Sequence, residues 1–382
     1  MAKKTAPREA SWTVIILMGA DNLEGEEPLA DAANDDLREI REVGADPAIL
    51  QIVVHVDRRG GPTRFHFGKQ QNDKEYAIPP GEGTSGPDVL ENLLVWAKGY
   101  YPARHYLLLL WGHAYRLAFN RDPETPEGLN FPQLREVLEN TNEGEKIDIV
   151  AFDSCNVSLI EAAYELRETA SYLVASQFTD PLPGWPYDKI LGKLRDSTDH
   201  FDPPVGRDGN GPKDFGRAIV SQFARHYEGE KSVTMTMLDL SRTTEIAERI
   251  GTLENELTIA VSNDQAERSR VREMFQRSQV PLRQPSVDLV TFCWNVLYFS
   301  RNERAKIAAA ALGDLLLGPK EPFIVEHART DLLVGMLNGV SILAPNVVTQ
   351  SRFDLGSLRS EYDKLDLAQY WGNLAFALAQ SD

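Results

Sequence analysis

The chain has 382 residues, enough to bury a sizeable core as one large domain with additions or as two domains. With 42% hydrophobic and 25% charged residues its composition is that of an ordinary globular protein, which excludes extensive disorder. Its net charge of −17 argues against a general nucleic-acid binder, because phosphate contacts need clustered Lys and Arg, and favours basic partners.

Residues 1–11 carry the charges of a signal peptide without its apolar centre and read as a disordered tail, which points to the cytoplasm. No segment approaches the length of a membrane span. Residues 12–238 then alternate strand and helix. A strand at 13–18 precedes an amphipathic helix at 29–43, and a strand at 49–56 leads to a hairpin within 62–78 that caps one end of the sheet. Val89, Leu90, Leu93, Leu94 and Ala97 have helical spacing across 88–99, and this helix delivers the chain to the apolar run Leu107-Leu108-Leu109-Leu110-Trp111. An exposed polar loop is expected at 114–130 and a helix at 131–140. A second buried strand, Ile147-Asp148-Ile149-Val150-Ala151-Phe152, follows. Beyond it lie a helix at 159–169, a strand at 172–176, a rigid loop at 180–187 and a polar loop at 197–213, then a helix at 215–227 and a strand at 232–238. Such alternation predicts a mostly parallel sheet with helices on both faces. A soft boundary near Asp239 separates a mainly helical C-terminal part, 239–382, packed on the first domain, whose late strand at 339–344 is expected to return to the main sheet.

His113 and Cys155 stand just past the two apolar runs, where ligands reach an open α/β sheet. The interval holds one crossover and is close to the roughly 50 residues by which a caspase histidine precedes its cysteine. A free thiol near pKa ~8.5 is mostly protonated at neutral pH, whereas an adjacent imidazole favours the thiolate and protonates a departing amine. Backbone N–H groups of Gly112, Ala114 and Cys155 are candidates to hold a developing oxyanion. The spacing shows no third catalytic member. Cys293 and the histidines at 55, 66, 105, 200, 226 and 327 read as structural, and with two cysteines no disulfide framework is indicated.

Further motifs give these residues a family context. Trp12-Thr13-Val14-Ile15-Ile16-Leu17-Met18, Asp21-Asn22-Leu23, Leu110-Trp111-Gly112-His113, Phe152-Asp153-Ser154-Cys155, Glu161-Ala162-Ala163-Tyr164-Glu165-Leu166, Gly184-Trp185-Pro186-Tyr187 and Gly339-Val340-Ser341-Ile342 occur in one order along nearly the whole chain. In that order and spacing the chain resembles the clostripain family of cysteine peptidases, of the caspase-like clan with gingipains and legumain. The resemblance implies a caspase-like α/β fold and a His113–Cys155 dyad that cleaves after Arg, in preference to Lys. It also implies a substrate site in which Asp153 meets the basic side chain, with Trp185 beside it. The family's glycine after the histidine is Ala114 here, and its second pocket acid is replaced by Pro183, with Asp180 nearby as a substitute. No cofactor is required by this chemistry. Calcium dependence occurs in the family, but the acids here show no calcium-loop spacing, and no metal site is read.

A protease of such broad specificity needs restraint, so a zymogen is expected, cut in an exposed loop by itself or by an upstream protease of similar specificity. Arg116, Arg121, Arg207 and Lys213 are the candidate processing sites. Two rivals stand beside this reading. One is a catalytically silent relative that binds basic peptides as a scaffold or regulator. The other is an unrelated doubly wound hydrolase or small-molecule enzyme in which Cys155 is coincidental, for which there is no Gly-x-Gly-x-x-Gly turn, P-loop or zinc spacing.

Overall fold

The computed structural model describes residues 9–22, 29–58, 61–68, 73–76, 78, 86–115, 117–120, 128–202, 211–281, 285–330, 334–345 and 354–379. In chain order the elements begin with β1 (Ala10–Gly19), α1 (Ala30–Val43), β2 (Leu50–Asp57), β3 (Thr63–Phe67), β4 (Lys74–Tyr76), α2 (Pro87–Tyr100) and β5 (Ala103–Trp111). They continue with β6 (Ala114–Tyr115), β7 (Ala118–Phe119), β8 (Leu129–Asn130), α3 (Phe131–Thr141), β9 (Ile147–Asp153), α4 (Ile160–Leu166), β10 (Ala170–Ala175), α5 (Tyr187–Asp196), α6 (Thr198–Phe201) and α7 (Gly211–Tyr227). The rest are β11 (Thr234–Asp239), α8 (Thr243–Asn263), α9 (Gln265–Arg277), β12 (Ser286–Asp288), α10 (Leu289–Phe299), α11 (Glu303–Leu317), β13 (Ile324–Arg329), β14 (Ser341–Leu343), α12 (Leu355–Tyr362) and α13 (Asn373–Ala379).

Compactness divides the chain into two units that interleave in sequence. The first comprises residues 1–155, 169–174 and 180–226. Its strands are hydrogen-bonded in the order β10-β9-β5-β1-β2-β3-β4. The members β10, β9, β5, β1 and β2 are parallel, and β3 and β4 continue the sheet antiparallel. The mostly parallel sheet is therefore borne out, while the 62–78 hairpin extends its edge rather than capping an end. Every residue of β1 and β2 is buried, as a strand covered on both faces requires, and this is why they read as apolar runs without alternation. From β1 the chain steps one way to β2 and then back past β1 to β5 and β9. Right-handed crossovers consequently place α1 on one face and α2 and α3 on the other. The packing of α1 on α5 and of α2 on α3 agrees. The reversal of direction also opens a crevice at the carboxyl ends of the central strands.

Local choices hold this frame. Asn130 and Gln133 form a reciprocal capping box that starts α3 directly after the residues expected as loop. Trp12 is fully buried, donates its indole N–H to Phe201 O at 3.1 Å and stands edge-on to Phe215. The strand β1 begins at Ala10, so Ala10 and Ser11, read as tail, are strand residues, whereas residues 1–8 lie outside the described ones.

The second unit comprises residues 156–168, 175–179 and 227–382 and is mainly helical, with α8 packed on α9 and α11, and α10 on α11. In it β11 pairs antiparallel with β13. The late strand was expected to join the main sheet, but β14 pairs antiparallel with β12 in a sheet of their own. Buried Asp288, at the end of β12, accepts the Asn338 N–H at 2.7 Å, which fixes the turn before β14 against β12.

Candidate active site

The site is built where β5 and β9 end. In their parallel register Trp111 stands opposite Asp153, and His113 and Cys155 each follow two residues later. Two hydrogen bonds hold the ends together: Gly112 N donates to Asp153 O at 3.2 Å, and Ser154 Oγ donates to Gly112 O at 2.6 Å. Gly112 has φ +143°, and a Cβ there would meet Asn120 Oδ1 at 2.5 Å, so only glycine fits this turn. Asn120 N in turn donates to His113 O at 3.0 Å. After β9 the chain bends sharply, with Asn156 at φ +59°.

His113, Asp153, Cys155, Asp180, Leu182 and Gly184 are among the residues lining a cleft at this edge. Asp153 is 5% exposed. Its Oδ2 accepts from Trp185 N at 3.1 Å and from the Tyr187 hydroxyl at 2.8 Å, which leaves Oδ1 without a donor among the described residues. A second acid, Asp36 of α1, is 2% exposed and accepts from the Trp111 indole at 2.8 Å. Burial pushes both carboxyls up; the charge of Asp153 raises Asp36 further, while the two donors on Asp153 restrain its own rise.

The half-buried Cys155 sulfur accepts from Asp180 N at 3.3 Å. Burial, followed by the nearby Asp180 carboxylate, pushes its thiol up to about 12, against a smaller opposing effect of that Asp180 N–H. The thiol is thus protonated in this conformation. Burial and the neighbouring acids work against the imidazole-favoured thiolate expected from the sequence.

Of the residues singled out from sequence, His113, Cys155, Asp153 and Asp180 come together at the cleft, along with Gly112. Two expectations need correction. The Gly112 N–H cannot serve an oxyanion while it is bonded to Asp153 O, which leaves Ala114 and Cys155 as the backbone candidates. The Trp185 indole, 1% exposed, packs against Phe223, and only its backbone N–H serves the site, through Asp153. Residues 114–130 are not simply an exposed loop, since Leu117, Phe119 and Asn120 are buried and β6, β7 and β8 form a small sheet. Among the processing candidates, Lys213 is a half-buried residue in the first turn of α7 rather than in a loop. Arg116, Arg121 and Arg207 lie outside the described residues, as does Leu23. Asp36, Trp111 and Tyr187 were missed. The signal for Asp36 was present, since it falls on the buried stripe of α1 with Ala33, Leu37 and Ile40, where an acid is out of place. Among the described residues no three of His, Cys, Asp and Glu gather as ligands for the calcium raised by the resemblance, and no helix is long and apolar enough to cross a membrane.

The model of the clostripain family matches residues 18–294. Clostripain of Hathewaya histolytica is 25% identical over 127 residues, a match spanning 28% of this chain and 24% of that protein. An inactive zymogen C11 protease from Parabacteroides distasonis superposes with a TM-score of 0.67 at 17% identity, covering 96% of this chain and 100% of the other. A secreted C11 cysteine protease from Bacteroides thetaiotaomicron, solved with an irreversible peptide inhibitor, gives 0.66 at 19% identity over 98% and 100%. The expected caspase-like fold is thus borne out along nearly the whole chain.

Proposed function

The chain belongs to the clostripain family of cysteine peptidases, and on that footing we propose that it is an endopeptidase that cleaves after Arg, and less readily Lys, through Cys155 and His113. The observation that carries this reading is the β5–β9 register, which sets His113 and Cys155 two residues beyond the same rung and beside a buried acid. Cys155 gives its proton to His113 and attacks the scissile carbonyl, His113 passes that proton to the leaving amine, and water then releases the acyl group. Asp153 offers Oδ1 to the P1 cation, while the preference for Arg over Lys comes from the family resemblance.

On this reading the chain as it stands is a resting form. Its protonated thiol, held by the Asp180 main chain, supports a zymogen whose nucleophile is freed when segment 180–184 shifts, with cleavage at Arg116, Arg121 or Arg207 as the trigger. The same capped sulfur would suit a silent relative that binds basic peptides, and turnover separates the two. With fluorogenic peptides, Cys155→Ala and His113→Ala should each abolish hydrolysis. Asp153→Asn should lower the Arg-to-neutral ratio of kcat/KM at least about tenfold, since a charge-assisted hydrogen bond contributes roughly 1.5–3 kcal/mol. Undiminished turnover in Cys155→Ala would remove the nucleophile from the mechanism.

A further inference from the structure

Asp36 has no place in the chemistry described so far, yet it is held as carefully as Asp153. Its helix presents Ala33, Leu37 and Ile40 to the interior, and an acid on that stripe loses its water. The Oδ2 atoms of Asp36 and Asp153 both close on Gly184: a Cβ at that glycine would lie 3.3 Å from the one and 3.0 Å from the other. A side chain at 184 would press on both carboxyls. Two carboxyls this near each other and removed from solvent do not both ionise. Donor count decides which keeps the proton, because Asp153 receives two hydrogen bonds and Asp36 one.

We propose that Asp36 is a positioning residue of the specificity pocket, forming with Asp153 a buried carboxyl pair that holds one proton while the cleft is empty and loses it to solvent when a cationic P1 side chain enters. The proposal rests on Asp153 being the pocket acid. The proton leaves Asp36, and the dianionic pair with the arriving cation carries the same net charge, −1, as the empty pair with its proton. The surroundings favour a proton in the empty state. On α1, Glu39 and Asp35 add negative charge, and from α5 the Tyr187 hydroxyl donates to Asp153. Asp188 of α5 and His226 of α7 act on Glu39 with opposite signs. On the cleft side stand Asp180, Cys155 and His113. A merely structural Asp36 would need only to accept from the Trp111 indole, which an asparagine oxygen does equally well. Asp36→Asn therefore keeps the hydrogen bond and removes the proton.

Two readouts test this with the full chain. In the wild type the Arg-to-neutral ratio of kcat/KM, in which the titration of Cys155 and His113 cancels, should rise with pH by up to about tenfold per unit across the pair's titration. In Asp36→Asn it should be flat over the same range. Calorimetry of benzamidine binding in two buffers of different ionisation heat should show proton release near neutral pH for the wild type and none for Asp36→Asn, so the proposal does not depend on the variant folding. Benzamidine binding by the wild type without proton release, or a pH-dependent ratio retained in Asp36→Asn, overturns it. Absence of binding, or binding and selectivity unaffected by Asp153→Asn, overturns the pocket assignment itself and the proposal with it.

Discussion

Gly184 is the residue at which the two acids, the cleft wall and the backbone meet. Its φ of +70° lies in the left-handed region, where a non-glycine residue costs roughly 1–2 kcal/mol, and a new Cβ would press on Asp153 Oδ2. Gly184→Ala should therefore lower stability by about 1–2 kcal/mol and, by turning the Asp153 carboxyl, reduce Arg selectivity more than it reduces turnover of neutral substrates. Denaturant unfolding and the Arg-to-neutral ratio check the two halves; an alanine variant with unchanged stability and selectivity would show that the glycine is incidental. The sequence displayed Asp153 and Cys155 through their position after an apolar run. It did not display the donors to Asp153, because Tyr187 lies 34 residues away and Trp185 contributes through its backbone N–H. Asp36 was hidden among the acids of a polar helix, Asp31, Asp35 and Glu39, and only its place on the buried stripe distinguishes it.

Strands β5 and β9 were legible because both faces of each are covered, so burial wrote a continuous apolar run with a polar tip. Their neighbours were less so. Helix α5 starts at Tyr187 immediately after a proline-rich loop, and its short amphipathic pattern is masked by Lys189, Lys193 and Arg195 on its outer side. Strand β14 is three residues long and gives no alternation from which to choose a partner. What joins the two readable strands at their ends is also local and unwritten in any periodicity: the Ser154 hydroxyl bonded to Gly112 O. Ser154→Ala should cost about 1 kcal/mol and loosen the turn that carries His113, lowering kcat with little change in KM. A variant whose loss lies wholly in KM would place Ser154 in substrate binding instead.

A small part of the chain's acidity, read from composition as an invitation to basic partners, is internal. In the second unit Glu161, Glu165, Glu254, Glu267 and Asp288 are all buried. They accept from the N–H groups of Leu343, Asp366, Leu374, Arg301 and Thr291 respectively. Several of these acids serve N–H groups in the first turn of a helical element, as Asp288 does for Thr291 at the start of α10. Burial raises Glu161 and Glu254 from 4.5 to about 7. Between these values the folded state holds more protons than the unfolded one, so this stabilisation is fully present below about pH 4.5 and is lost as pH rises through about 7. The Tm should accordingly fall from about pH 5 to about pH 8, and Glu161→Gln with Glu254→Gln should flatten that slope. An unchanged slope in the double variant would assign it to other groups.

If Cys155 is the nucleophile of a protease selective for basic P1 residues, an electrophilic Arg peptide should capture it covalently. Intact-mass analysis after incubation with a peptidyl-Arg chloromethylketone should show one adduct on the active chain, located at Cys155, absent from Cys155→Ala and much slower to form with a neutral P1 analogue. Labelling that persists in Cys155→Ala, or that proceeds equally fast with the neutral analogue, would contradict it.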